Sequence, residues 1–369
     1  MNSNQDPLSH RGGLLRLDAD ILCAASVVGG KEREGPLGEH FDLVDRGDRF
    51  GQDSWEKAES EMQRMAFAAA LGKAQMGQES VDILLAGDLL NQCTGSAYGL
   101  LSYDIPFLGL YGACSTSAEG LLLAGALVHG GHAACVGVVT SSHNAAAERQ
   151  FRTPLEYGGQ RPGSAQWTVT GAGAFLVTGG GGTGCSGGTC SLQPPPAPLA
   201  HMTVGMAGIA LDRGVTDANN MGAAMAPAAE STLCRYFEAS ETTPADYDLI
   251  VTGDLGWEGS RILCDLMDTH TVGGVSLSIR ERHNDCGCMM FSRSTQDTHS
   301  GGSGCGCSAT VLASYLLPRV QSGRIRRMLY LATGALLSPD SVKQGRSIPG
   351  IAHLICMESP HPRDGQMHP

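Results

Sequence analysis

One stretch of this chain is written twice. VDILLAGDLL at 81–90 returns as YDLIVTGDLG at 247–256, so that Asp82 matches Asp248, Gly87 matches Gly253 and Asp88 matches Asp254. Two further matches follow in the same order. GACST at 112–116 aligns with CGCSA at 305–309, pairing Cys114 with Cys307, and VVTSS aligns with LATGA, pairing Thr140 with Thr333. Recurrence of strand, turn and helix signals in one order marks a duplicated unit. It restricts the fold to an α/β class with two duplicated halves related by a pseudo-twofold axis. The strands are apolar runs separated by helices, which predicts sheets covered on both faces. A tract rich in Gly, Cys and Pro at 183–198 separates the copies. It cannot bury a face and reads as a flexible linker or surface loop, giving halves at 1–182 and 199–369.

The helices opening near 115 and 308 are the most apolar of their halves, which places them at the centre, with their N-terminal turns facing one cleft. Helix N-termini carry unpaired N–H groups and a partial positive charge, so such a cleft suits an anion or a developing oxyanion. Cys114 sits in one of these turns. The position predicts a lowered thiol pKa and a role as nucleophile or ligand contact. His299 precedes SGGSGCG, the turn entering the matching helix, and is expected to approach Cys114 across the axis, taking its proton or binding an acidic ligand. The segment 148–166 brings Arg149, Arg152 and Arg161 beside Phe151 and Leu155, arginines suited to drawing a carboxylated ligand toward the cleft.

Several function classes are disfavoured. The net charge is -12, and the dense basic cluster Arg324, Arg326 and Arg327 stands alone, which argues against nucleic acid as a partner. No GxxxxGK[ST] and no Rossmann glycine spacing occur, which disfavours nucleotide cofactors. The pairs Cys286/Cys288 and Cys305/Cys307 have one intervening residue rather than the two to four usual for structural zinc, so no metal is expected there. No apolar run reaches the length of a membrane span, and the first twenty residues lack a signal-peptide core. The expectation is a soluble protein made inside the cell, with most of its thirteen cysteines as buried free thiols.

GACST and the HSGGSG turn resemble the thiolase and ketoacyl-synthase superfamily. That resemblance implies a thiolase-like fold layered α-β-α-β-α, with Cys114 at the place of the acyl-accepting nucleophile and His299 at the place of the histidine that activates it. Thr333, in ATGALLSP, occupies roughly the place of the cysteine that acts as acid and base in thiolases. A hydroxyl there is a poor proton shuttle, which argues against full Claisen condensation. Longer strings cover nearly the whole chain: SWEKAES, LLAGDLLNQ, PFLGLYGACSTSAE, AERQFRTPLEYGGQRPGSAQWTVTGAGA, DCGCM, GGSGCGCSA and SIPGIAH. They are similar to the stage V sporulation protein AD family.

This second resemblance implies binding of dipicolinic acid (pyridine-2,6-dicarboxylate) in the thiolase-type cleft, through Cys114 and His299, and support of its uptake into the forespore. It also implies a homodimer, membrane-protein partners of the same transport system, and a place on the cytoplasmic side of the forespore inner membrane. No cofactor is implied, although calcium is the ion suited to accompany the ligand's carboxylates. A non-catalytic binding protein is thus expected. The alternative is an acyl-transfer enzyme with Cys114 as nucleophile and His299 as base.

Overall fold

The computed structural model describes residues 13–151, 161–180 and 196–360. Arg152, and residues 183–195 of the expected linker, lie outside these described residues.

Eleven strands form one hydrogen-bonded sheet. In the first half they are β1 (Leu14–Gly29), β2 (Leu43–Asp45), β3 (Ile83–Gly87), β4 (Phe107–Gly109), β5 (Cys135–Ser142) and β6 (Gly171–Gly179). In the second they are β7 (Ala200–Met206), β8 (Leu249–Thr252), β9 (His283–Asp285), β10 (Arg327–Ala335) and β11 (Gly350–Glu358). From the middle outward, the first half runs β1, β6, β5, β3, β4 and the second β7, β11, β10, β8, β9, with β2 attached to β1. Apart from β2, each half therefore orders its strands first, fifth, fourth, second, third. The directions match as well: β3 is parallel to β4 and β5, β8 is parallel to β9 and β10, and β5–β6 and β10–β11 are antiparallel. The two first strands pair antiparallel with each other, Leu14 opposite Met206 and Asp20 opposite His201, as a twofold between the halves requires.

The main helices are α1 (Trp55–Ala74), α2 (Thr116–His129), α3 (Asn144–Phe151), α4 (Met221–Ser240), α5 (Gly256–Met267) and α6 (Cys305–Val311), the last continuing through a π turn to Gln321. Ser54 caps α1 by accepting from the Lys57 N–H at 3.3 Å, and Asn220 caps α4 by accepting from Ala223. Side-chain alternation in the strands then builds the layers. Leu17, Ile21, Val138 and Phe175 of one half-sheet and Met328, Tyr330 and Ile355 of the other bury α2 and α6 between them. On the outer face of the first half, Val27, Leu84 and Val139 meet Met62, Ala66, Phe67 and Ala70 of α1. On the outer face of the second, Ile250, Leu329 and Leu331 meet Met225, Ala229, Leu233 and Phe237 of α4. The result is the expected α-β-α-β-α stack. Small residues such as Ala66 and Ala70 of α1 and Ala229 of α4 let these helices lie close to the sheet.

β1 begins seven residues earlier than an apolar run at 21–29 suggests, because LLRLDAD gains β7 as a partner. A bulge at Arg16–Ala19, with Asp18 at φ 39°, lets Asp18 and Asp20 meet one histidine of the facing strand. His201 Nδ1 lies 2.8 Å from Asp20 and its Nε2 3.3 Å from Asp18. The Asp20 hydrogen bond, then the charges of Asp20, Asp18 and Glu358, raise the His201 pKa against the opposing effect of burial. A raised histidine stabilises the fold fully below its unfolded value of about 6.5, and that contribution is lost as pH rises through the folded value. His201→Gln should therefore cost about 1 kcal/mol at pH 6 and little at pH 8.5 in urea unfolding. Equal costs at both pH values would show that the imidazolium does not clamp the two halves.

Candidate functional site

The duplicated Gly-Asp ends both β3 and β8, and the glycine has a steric reason in each. A Cβ on Gly87 would collide with the Leu110 carbonyl, and one on Gly253 would lie 3.0 Å from the Ala332 Cα. The aspartates that follow are fully buried but do different work. Asp88 accepts from Leu90 N, Ser96 N and Ser96 Oγ at 2.6–2.8 Å and so closes its own loop. Asp254 accepts from Gly304 N and from Thr333 Oγ1 of its own half, each at 2.9 Å, and its charge acts across the pseudo-twofold on the Cys114 thiol.

The structure shifts two of the alignments read from sequence. Ala113 and Gly304 both have positive φ, 51° and 103°, and each precedes a cysteine that opens a central helix. Ser117 and Ser308 hydrogen-bond to each other at 2.7 Å between those helices. The counterpart of Cys114 is therefore Cys305, not Cys307, which lies in the central core. In the strands, Val139 and Leu331 both face an outer helix, so Thr333 corresponds to Ser141 and not to Thr140. A slip of one residue in a strand turns every side chain to the other face, and a short motif match cannot detect it.

Cys114 lines a half-enclosed cavity that opens to solvent. Leu89, Tyr111 and Phe151, with Met221 and Leu337 from the second half, make most of its wall, and Glu148, Thr168 and Ser303 add polar atoms. α3 presents Ala147, Glu148 and Phe151 to it, and the Glu148 carboxylate accepts from Thr168 Oγ1 at 2.8 Å. No Lys, Arg or His is among these lining residues.

The thiol behaves opposite to the expectation of a lowered pKa. Burial raises the Cys114 pKa well above its ordinary value; the Asp254 charge and the hydrogen bond to Asp254 add to this, and Gly304 N–H opposes them only in part. The turn's own polar groups are also occupied. Gly112 N donates to Thr116 Oγ1, and Ser115 Oγ and Thr116 Oγ1 donate to the Gly112 and Ala113 carbonyls. A helix N-terminus activates a thiol only where its N–H groups point at sulfur and no anion stands behind it.

His299 and Arg161 come together at a different point. His299 Nε2 lies 2.8 Å from Asp297 Oδ1, and Arg161 donates to the Asp297 carbonyl at 2.7 Å. Arg161 also lies 4.8 Å above the Trp167 ring, which Lys31 approaches at 4.0 Å. Trp167 and Thr168 form a short parallel ribbon with Gly302 and Ser303. The Arg161–Asp297–His299 group is thus close in sequence to Thr168 and Ser303 but is not part of the cavity wall. Arg149 forms an ion pair with Glu56 of α1. Among the described residues, no three His, Cys, Asp or Glu side chains are placed to hold a metal ion. The site residue that motif reading passed over is Asp254, although the repeated Gly-Asp was the signal that pointed to it.

The model of the stage V sporulation protein AD family matches residues 10–358. The chain belongs to the stage V sporulation protein AD family. It is 42% identical over 340 residues to the stage V sporulation protein AD of Bacillus subtilis (strain 168), a match covering 92% of this chain and 94% of that one. Among solved structures it is similar to human mitochondrial 3-ketoacyl-CoA thiolase in complex with CoA, with TM-score 0.56, 10% identity and coverage of 94% and 99% of the two chains. It is also similar to 3-oxoacyl-[acyl-carrier-protein] synthase III from Aquifex aeolicus VF5, with TM-score 0.53, 13% identity and coverage of 92% and 99%. At these identities the likeness is one of fold, and it makes the fold of this stage V sporulation protein AD family member thiolase-like.

Proposed function

We propose that this chain binds dipicolinic acid in the cavity at Cys114 and supports its uptake into the forespore as the component of a membrane transport system that does not itself span the bilayer. The observation that carries this reading is a half-enclosed, largely apolar cavity ending on a thiol that is held protonated. Such walls cover a flat pyridine ring, and the Tyr111 and Ser303 hydroxyls offer neutral donors to its carboxylates. The Arg161–His299 group behind the ribbon would draw the dianion toward the mouth, and calcium chelated by the ligand would offset its charge beside Glu148. Among the described residues no helix is long and apolar enough to cross a membrane. Membrane partners at the cytoplasmic side of the forespore inner membrane would therefore hold the chain in place. Calorimetric titration with dipicolinate, with and without calcium, tests the reading. Saturable one-site heat supports it, and no heat under either condition removes it.

A second reading has its own support: Cys114 lines a cavity at the start of a central helix, on a fold shared with condensing enzymes. An acyl-transfer enzyme would form a thioester on Cys114. Intact-mass measurement after mixing with acetyl-coenzyme A should show no adduct, because burial and the neighbouring Asp254 charge hold the thiol protonated. A stable adduct on Cys114 would favour the enzyme.

The same proposal includes a homodimer. β4 ends the sheet, and Phe107 and Leu108 on it, with nearby Leu101 and Tyr98, are exposed. Two copies pairing along β4 would cover both unpaired edges isologously. Light scattering should give twice the chain mass, and Leu108→Arg should halve it; a monomeric parent chain would end this part.

A further inference from the structure

We propose that Asp254 takes up a proton when the cavity receives a dianion, and that this uptake sets how tightly the dianion is held. The inference rests on reading the cavity as a dicarboxylate site. Its geometry is independent of that reading. Asp254 is fully buried and accepts from the N–H of Gly304, the residue after Ser303 of the cavity wall, and its charge acts on Cys114, which also lines the cavity. An anion resting on Cys114 therefore comes close to the Asp254 carboxylate, and both Cys114 and Asp254 are buried.

The surroundings leave Asp254 as the group that can respond. The titratable side chains facing it are Cys114 from the 113–115 turn, Cys305 and Cys307 from α6, and Asp285 and Cys286 from the end of β9 and the turn after it. None of them is a cation. The four cysteines are neutral thiols, raised by burial, and Asp285 is saturated by four donors. Asp254 itself is pushed up to about 7, chiefly by burial, and its ionised form is held by the Cys114 thiol, Gly304 N–H and Thr333 Oγ1. A second negative charge within one side chain would raise it by a further one to two pH units or so. The step is simple: the ligand enters as the dianion and one proton passes from solvent to the Asp254 carboxylate.

The sign follows from linkage. At pH 6 Asp254 is already protonated in the empty site, so binding takes up almost no proton. At pH 8 it is ionised in the empty site and about half or more protonated in the filled one, so uptake is roughly 0.4–0.8 proton, and affinity falls about five- to tenfold from pH 6 to pH 8. Asp254→Asn keeps an acceptor for Thr333 and removes the charge. It should bind with little pH dependence and, at pH 8, about five- to tenfold more tightly than the parent chain.

The test is calorimetric titration of the full chain with dipicolinate at pH 6 and pH 8, each in two buffers of different ionisation enthalpy. A buffer-dependent heat at pH 8 that is absent at pH 6, and absent from Asp254→Asn, supports the proposal. Binding by the parent chain with no proton uptake at pH 8 overturns it while leaving the ligand reading intact. No binding at either pH overturns both. If Asp254→Asn does not fold, Thr333→Val replaces it. Loss of that donor raises the carboxyl further, so proton uptake should begin at a higher pH than in the parent chain, and an unchanged onset counts against the proposal.

Discussion

Ala218→Trp is expected to abolish dipicolinate binding while leaving the chain folded. Ala218 lies half-buried in the loop before α4 and lines the cavity beside Met221. An indole there would project into the cavity and occupy the space a pyridine ring needs. Loss of affinity should exceed about 100-fold, equivalent to about 2.7 kcal/mol. The position sits in a loop, outside the strands and helices, so stability should change by less than about 1 kcal/mol. Calorimetry measures the first and urea unfolding the second. Unchanged affinity in a folded variant would place the ligand somewhere other than this cavity, and with it would fall the role assigned to Cys114.

The largest loss of stability is expected at Asp285. Its side chain is buried and accepts four hydrogen bonds: Thr252 Oγ1 at 2.6 Å, Leu255 N at 2.8 Å, Gly256 N at 3.0 Å and Cys288 N at 3.1 Å. One carboxylate thereby ties β8, the turn that carries Asp254, the start of α5 and the helix after β9. Asp285→Ala leaves these donors buried without acceptors, each costing about 1–3 kcal/mol before relaxation. A net loss of about 4 kcal/mol is expected in urea unfolding. Asp285→Asn retains one acceptor and should lose about half as much. A cost below 1 kcal/mol for the alanine variant would mean that water replaces the carboxylate and that the turn is held by other groups. The same substitution should loosen Asp254 from Cys114, so any protein that still folds should bind ligand more weakly.

Much of this architecture was legible in the residues. The repeated Gly-Asp told of two copies because a glycine that lets a strand end approach its neighbour, followed by a buried acid, is difficult to reproduce by chance. The apolar character of 116–129 and of the helix after 305 placed both in the middle layer, since a helix without a polar face has to be covered on all sides. The long strings shared with the family carried the fold with them. What failed was any inference that depended on direction. Cys114 opens a helix, a position that predicts activation, but the sign of its pKa shift is set by burial and by Asp254, which is 140 positions away in the chain. His299 was expected beside Cys114, and its imidazole is instead paired with Asp297, two residues before it.

By itself the sequence determined the duplicated α/β plan, the placing of the two equivalent helices at the centre, and the cysteine that ends in the cavity, because hydrophobic period and glycine placement act locally and repeat with the copy. Tertiary structure decided which cysteine is the true counterpart of Cys114, which acid stands behind it, and that the cavity wall carries a glutamate and, among the described residues, no cation. Those facts depend on strand register and on contacts across the pseudo-twofold axis. Register changes the face of a side chain with a shift of one residue, and a contact across the axis joins positions that share no local pattern.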